Sequence, residues 1–102
     1  MDNRISLFQN NTKELSVLVQ GIDNIGPYTP YLTVKKKSTD TAKVLYKAGT
    51  VSDPSGTFLF SLGVIDTSMA PDSYVYDIVI TGNSNVITIV KDRFDVIDGV
   101  YD

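Results

Sequence analysis

From Ile5 to Ile97 the apolar residues recur at every second position almost everywhere outside the turns and nowhere keep a 3.6-residue period for long, so the chain is built of strands. The alternation is strongest where Tyr74, Tyr76, Ile78 and Ile80 face one way and Val75, Asp77, Val79 and Thr81 the other. It recurs in Leu15, Val17 and Val19, in Leu32 and Val34, and in Phe58, Phe60 and Leu62. Short segments at Ile5 to Phe8, Lys43 to Tyr46, Val86 to Lys91 and Arg93 to Ile97 bring the expected total to seven or eight strands, with a bulge near Asp92 joining the last two. Turn-forming residues separate them: Asn10-Asn11-Thr12, Asn24-Ile25-Gly26-Pro27, Ser38-Thr39-Asp40, Asp53-Pro54-Ser55-Gly56, Ala70-Pro71-Asp72-Ser73 and Gly82-Asn83-Ser84-Asn85. Asp66 to Ala70 is the one segment that could form a turn of helix. Strands at this spacing predict an all-β chain, a two-sheet antiparallel sandwich in a single domain over 1–102.

Composition narrows the function more than it names it. With no cysteine and no histidine among 102 residues, disulfides, thiolate nucleophiles, zinc ribbons and the usual general base are excluded. The first half of the sequence is net positive and the second net negative, for an overall charge of −3. A pI near 4.7 argues against nucleic acid as a partner, which calls for a clustered positive field. No apolar run approaches the ~20 residues of a membrane span, and the start, Met1-Asp2-Asn3-Arg4, does not read as a secretory signal, so membrane partners are not expected and synthesis in a cytoplasm is. The basic run Lys35-Lys36-Lys37 reads as a solvated strand end or as protection of a sheet edge.

Several residue groups invite chemistry and have a plainer explanation. Asp92, Asp95, Asp98 and Asp102 are hard oxygen donors, but their spacing is not that of a calcium loop and Phe94, Val96 and Val100 alternate between them as strand residues. No metal and no cofactor is assigned. A glycosidase needs two carboxyls across a cleft, and a small sandwich whose one glutamate is Glu14 is a poor host. No catalytic residue is assigned. Asn10-Asn11-Thr12 fits a glycosylation triplet and is read as a turn. Tyr28 and Tyr31, flanking Pro30, either stack on a ligand ring or partner, or cap an open end of the core. Leu18, Leu59, Val75 and Val79 stand on the nominal outer faces of strands whose inner faces are already apolar, which suggests a subunit contact.

The segment Asp66-Thr67-Ser68-Met69-Ala70-Pro71-Asp72-Ser73-Tyr74-Val75-Tyr76-Asp77 resembles the E–F corner of immunoglobulin-like domains. The resemblance implies that the Tyr74 hydroxyl reaches back to the backbone a few residues upstream. Tyr76 stands where antibody domains place their second cysteine, so a relative of that architecture would be disulfide-free.

A narrower likeness spans roughly residues 5–97. Ile5-Ser6-Leu7-Phe8-Gln9 with Asn11-Thr12, then Leu15-Ser16-Val17-Leu18-Val19 and Gly56-Thr57-Phe58-Leu59-Phe60 form its first half. Asp66-Thr67, Pro71-Asp72, Tyr74-Val75-Tyr76-Asp77-Ile78, Ile87-Thr88-Ile89 and Arg93-Phe94-Asp95-Val96 complete it. Together they resemble the immunoglobulin-like attachment domain of tailed-bacteriophage baseplate upper and head-fibre proteins. That resemblance implies a non-enzymatic virion protein, present in several copies, that docks on major capsid, portal, fibre or baseplate proteins. A capsid auxiliary or decoration role is expected from a chain with no fibre region before Asp102; a baseplate or tail adaptor and a free-standing glycan or cell-surface binding module are the alternatives.

Overall fold

The computed structural model describes residues 3–22 and 24–98, and they form eight strands in two sheets. In chain order these are β1 (Ile5–Phe8), β2 (Lys13–Leu18), β3 (Thr29–Lys35), β4 (Leu45–Ala48), β5 (Thr50–Asp53), β6 (Thr57–Leu62), β7 (Asp72–Gly82) and β8 (Asn85–Ile97). One sheet runs β1-β8-β7-β3-β4 and the other β2-β6-β5. All pairs are antiparallel except β1, which lies parallel to β8 with Ile5 opposite Phe94 and Phe8 opposite Ile97. This is the immunoglobulin-like sandwich: β2, β6 and β5 occupy the B, E and D positions of one sheet, and β3, β4, β7 and β8 the C, C′, F and G positions of the other.

The period-two rows close on one another. Phe58 and Phe60 of β6 lie in register with Val17 and Leu15 of β2, and on the facing sheet Leu32, Val34, Tyr76, Ile78, Ile80 and Phe94 are all buried. Two contiguous clusters result, one around Phe60, Tyr76 and Phe94 and a smaller one around Val19, Ile25, Phe58 and Ile80. The inward Tyr76 packs edge-on against Phe94 with ring centroids 6.3 Å apart, and its hydroxyl donates to the Asn3 carbonyl. An apolar body with a satisfied polar tip thus fills the position where a disulfide would otherwise sit.

Turn chemistry explains the connections. Gly82 pairs with Asn85, and the two residues between them, Asn83 and Ser84, have φ of 49° and 63°. Two successive positive φ angles give the turn whose twist matches that of the flanking strands. At the β5–β6 turn the Asp53 carboxylate accepts the Ser55 N–H at 3.0 Å, and Gly56 lies so close to β2 that an added Cβ would meet the Val19 carbonyl oxygen at 2.8 Å.

Three sequence expectations are corrected. The last two segments are one strand, but the register shifts between Ile78 and Val79, opposite Thr88 to Val90, rather than near Asp92. Asp66 to Ala70 is not helical; a turn closes over residues 64–67, with Thr67 N–H bonded to the Gly63 carbonyl, and the buried Thr67 hydroxyl ties it to the Asn11 carbonyl at 2.7 Å. Lys35 ends β3 with Lys36 and Lys37 exposed beyond it, so the lysine run is the solvated strand end, and the edge-protection reading falls because β3 is flanked by β4 and β7. Lys36 instead pairs with Asp72 and lies 5.2 Å above the Tyr74 ring. Strand β5 was missed because Thr50-Val51-Ser52-Asp53 carries too little alternation to read locally.

Tyr74, at the start of β7 and 6% exposed, donates its hydroxyl hydrogen to the Ala70 carbonyl at 2.6 Å across the corner. Tyr74→Phe deletes that bond and leaves the carbonyl without its partner, so chemical denaturation should show a loss of ~1 kcal/mol at unchanged m-value.

Candidate functional site

The residues expected to form one contact face fall on opposite sides of the molecule. Leu18 and Leu59 project from the outer surface of the β2-β6-β5 sheet, where Leu18 lies opposite Thr57 and Leu59 opposite Ser16 and Thr50. Val75 and Val79 project from the outer surface of the β1-β8-β7-β3-β4 sheet. Strand phase is the same in both pairs, but the sheets are the two slices of the sandwich, so the four side chains cannot meet one flat partner. Leu18, Leu59, Val75 and Val79 therefore do not form a single surface. Leu18 is 70% exposed, whereas Leu59, Val75 and Val79 are half-buried by their cross-strand neighbours.

On the five-stranded sheet, Val79 lies between Tyr31 on β3 and Thr88 on β8, and Ala48 on β4 extends the row. Tyr31 stacks on Tyr46 with centroids 5.6 Å apart and planes inclined by 13°. The Lys43 ammonium lies 4.2 Å from the Tyr46 ring centroid, a cation–π contact that holds this otherwise exposed ring in place. Beyond Val79, Thr81 pairs with Val86, which is 77% exposed. The next rows are charged: Thr33, Asp77 and Lys91 in one, Lys35, Val75 and Arg93 in the other. An apolar centre flanked by charges has the anatomy of a protein-binding patch. Val75 sits in the charged margin, separated from Val79 by Asp77.

Tyr28 and Tyr31 separate as well. Tyr28 packs against the cluster of Val19, Ile25, Phe58 and Ile80 and caps that end of the core. Tyr31 joins the outer face. Tyr46 was missed as a partner for Tyr31 because the two are fifteen positions apart in sequence and meet only through the β3–β4 pairing of Thr33 with Tyr46.

The carboxylates do not converge. Asp92 accepts the Asn3 N–H at 3.0 Å and lies opposite the inward Tyr76, whereas Asp95, on the other face of β8, pairs with Arg93 at 3.1 Å. Asp102 lies outside the described residues. Among the described residues no three metal-ligating side chains stand close enough together to hold an ion. Asp66 acts structurally: its carboxylate accepts the Gly63 N–H at 2.8 Å and the Lys47 ammonium at 3.0 Å, tying the β6–β7 corner to β4. Burial opposes its ionisation, but those two donors outweigh burial and hold its pKa below the ordinary value.

No protein-family model and no curated protein matches the sequence. Among solved structures the chain is similar to murine CRIg, at 7% sequence identity with a TM-score of 0.47, over 96% of this chain and 93% of that one.

A carboxylate with a depressed folded-state pKa stabilises the fold at any pH above its unfolded value, and that contribution disappears as pH falls through the folded value. Asp66→Asn should therefore cost ~1–2 kcal/mol at pH 7 and progressively less below pH ~4, where the unfolded chain's carboxyl takes up a proton first and the native one follows only at lower pH. Thermal unfolding of both proteins between pH 2.5 and 7 checks this; a gap that stays constant with pH would show that the Asp66 charge contributes nothing.

Proposed function

We propose that this chain is a non-enzymatic structural protein of a tailed-phage particle, a capsid auxiliary or decoration protein that grips other virion proteins through a sheet face. The observation that carries the docking role is the solvent-facing row of Tyr31, Val79 and Ala48 with Tyr46 stacked beside it, on a sheet whose opposite face is already committed to the core. The virion setting rests on the likeness of its sequence segments, from Ile5-Ser6-Leu7-Phe8 to Arg93-Phe94-Asp95-Val96, to attachment domains of that class. The non-enzymatic reading is supported by the lack of histidine and cysteine in the sequence and by the buried Thr67 hydroxyl being spent on backbone carbonyls.

Docking of this kind needs little affinity per contact. Burying two or three apolar side chains supplies ~3–6 kcal/mol before the cost of association, and repetition over a symmetric lattice turns a weak contact into firm attachment. The glycan-binding alternative has less behind it, since the Tyr46 ring that a sugar would stack on is already engaged by Tyr31 and Lys43.

Val79→Asp puts a carboxylate into the centre of this row without touching the core. It should leave the far-ultraviolet circular dichroism spectrum unchanged and reduce incorporation into particles at least tenfold, measured as copy number by mass spectrometry of purified heads and tails. Full incorporation of a folded Val79→Asp variant would move the docking surface elsewhere; absence of the native chain from all particles would end the virion reading.

A further inference from the structure

The charged rows beside Val79 enclose a small polar hollow. Parity sends Thr33, Lys35, Val75 and Asp77 to the outer surface of the five-stranded sheet, since Leu32, Val34, Tyr76 and Ile78 are buried on the inner one. Lys91 and Arg93 of β8 stand opposite Asp77 and Val75. Thr33, Asp77 and Lys91 lie in one cross-strand row and Lys35 and Val75 in the next, and with Ser38 they line a hollow of about 40 Å³. A water takes ~30 Å³ of the liquid, so the hollow has room for a carboxylate group and little more.

Ion pairs absorb much of the charge nearby but not that of the hollow. Arg93 holds Asp95 at 3.1 Å, and Lys36 holds Asp72. Lys35 and Lys91 have no ion-pair partner among the described residues. Asp77 is the one carboxylate lining the hollow, so two ammoniums against one carboxylate leave a positive charge in excess. Lys43, held over the Tyr46 ring that pairs with the Thr33 row, adds a further cation at the margin. On a chain of net charge −3 this surface runs against the overall sign of the molecule. Two ammoniums with the hydroxyls of Thr33 and Ser38 form a donor set for an anion that has two oxygens, whereas a cation on the partner would meet repulsion there.

Position identifies where that anion comes from. Asp77 follows Val79 at the next outward position of β7, two residues or ~7 Å along the strand, so a partner seated on Tyr31 and Val79 has its neighbouring side chain over the hollow. Exposed charges in water hold a free anion weakly. A carboxylate carried by a docked partner arrives at high effective concentration, with the cost of association already met by the apolar contact. We infer that the hollow between Lys35 and Lys91 receives an aspartate or glutamate side chain of the protein that docks on the Tyr31–Val79 row. The inference rests on the docking role proposed for that row and names the partner's chemistry: apolar at the centre of its contact surface and acidic at this margin.

The test titrates the isotope-labelled full chain at low salt with a capped tripeptide, glutamate between two leucines, and follows the amide shifts by nuclear magnetic resonance. Saturable shifts should centre on Thr33, Lys35, Asp77 and Lys91, and the same peptide with glutamine in place of glutamate should bind at least tenfold more weakly. Lys35→Gln combined with Lys91→Gln should bring the glutamate peptide down to the level of the glutamine one, with the circular dichroism spectrum retained. Asp77→Asn removes the competing carboxylate and should tighten the glutamate peptide severalfold, an effect that salt screens; this variant and the glutamine peptide decide the matter if the double lysine variant fails to fold. Equal binding of the two peptides, shifts centred elsewhere, or weaker binding by Asp77→Asn would overturn the proposal. Absence of a glutamate preference while Val79→Asp still blocks incorporation into particles overturns this inference alone; full incorporation of Val79→Asp overturns the docking reading and this inference with it.

Discussion

Strand β7 pairs with β3 on one side and β8 on the other, and the second sheet closes onto its inward row of Tyr74, Tyr76, Ile78 and Ile80. Each of these side chains gives up most of its solvent contact, at ~1.5–3 kcal/mol apiece, against ~1 kcal/mol for a hydrogen bond such as that of Tyr74 to Ala70. Burial of that row is therefore the term on which the sandwich rests, and the polar contacts decide how its edges are finished. Both polar tips in the row reach carbonyls at the margin, Tyr74 at Ala70 and Tyr76 at Asn3, so the aromatic bodies enter the core without stranding a hydroxyl.

The corner between β6 and β7 shows how the finishing works. Asp66 draws the Gly63 amide and the Lys47 ammonium together, Thr67 ties the same turn to Asn11, and Tyr74 spans the far end. Three side chains within nine residues thus attach one loop to β4, to the β1–β2 turn and to its own strand. None is left over for chemistry. The sandwich needs these contacts because it has no disulfide, and the inward Tyr76 with Phe94 supplies volume where a cross-link could have stood.

Function follows from what the core does not use. On the five-stranded sheet Tyr31, Tyr46 and Val79 lie together on the outer face, and in the other sheet β2 is paired on one side alone among the described residues.

The sequence alone settled the fold class, the inward phase of β2, β3, β6 and β7, the disulfide-free core and the Tyr74 corner, because alternation and turn chemistry are local and a side chain's face depends only on its parity within a strand. Parity says nothing about which strand lies alongside. Leu18 and Val79 both point outward, yet one belongs to each sheet, and only the pairing of β2 with β6 and of β7 with β3 separates them. The same holds for Tyr31 and Tyr46, brought together by the β3–β4 register, and for the open side of β2, which exists because β1 crossed to β8. These are contacts between distant segments, chosen by burial summed over the whole core, and no local pattern in the chain encodes them.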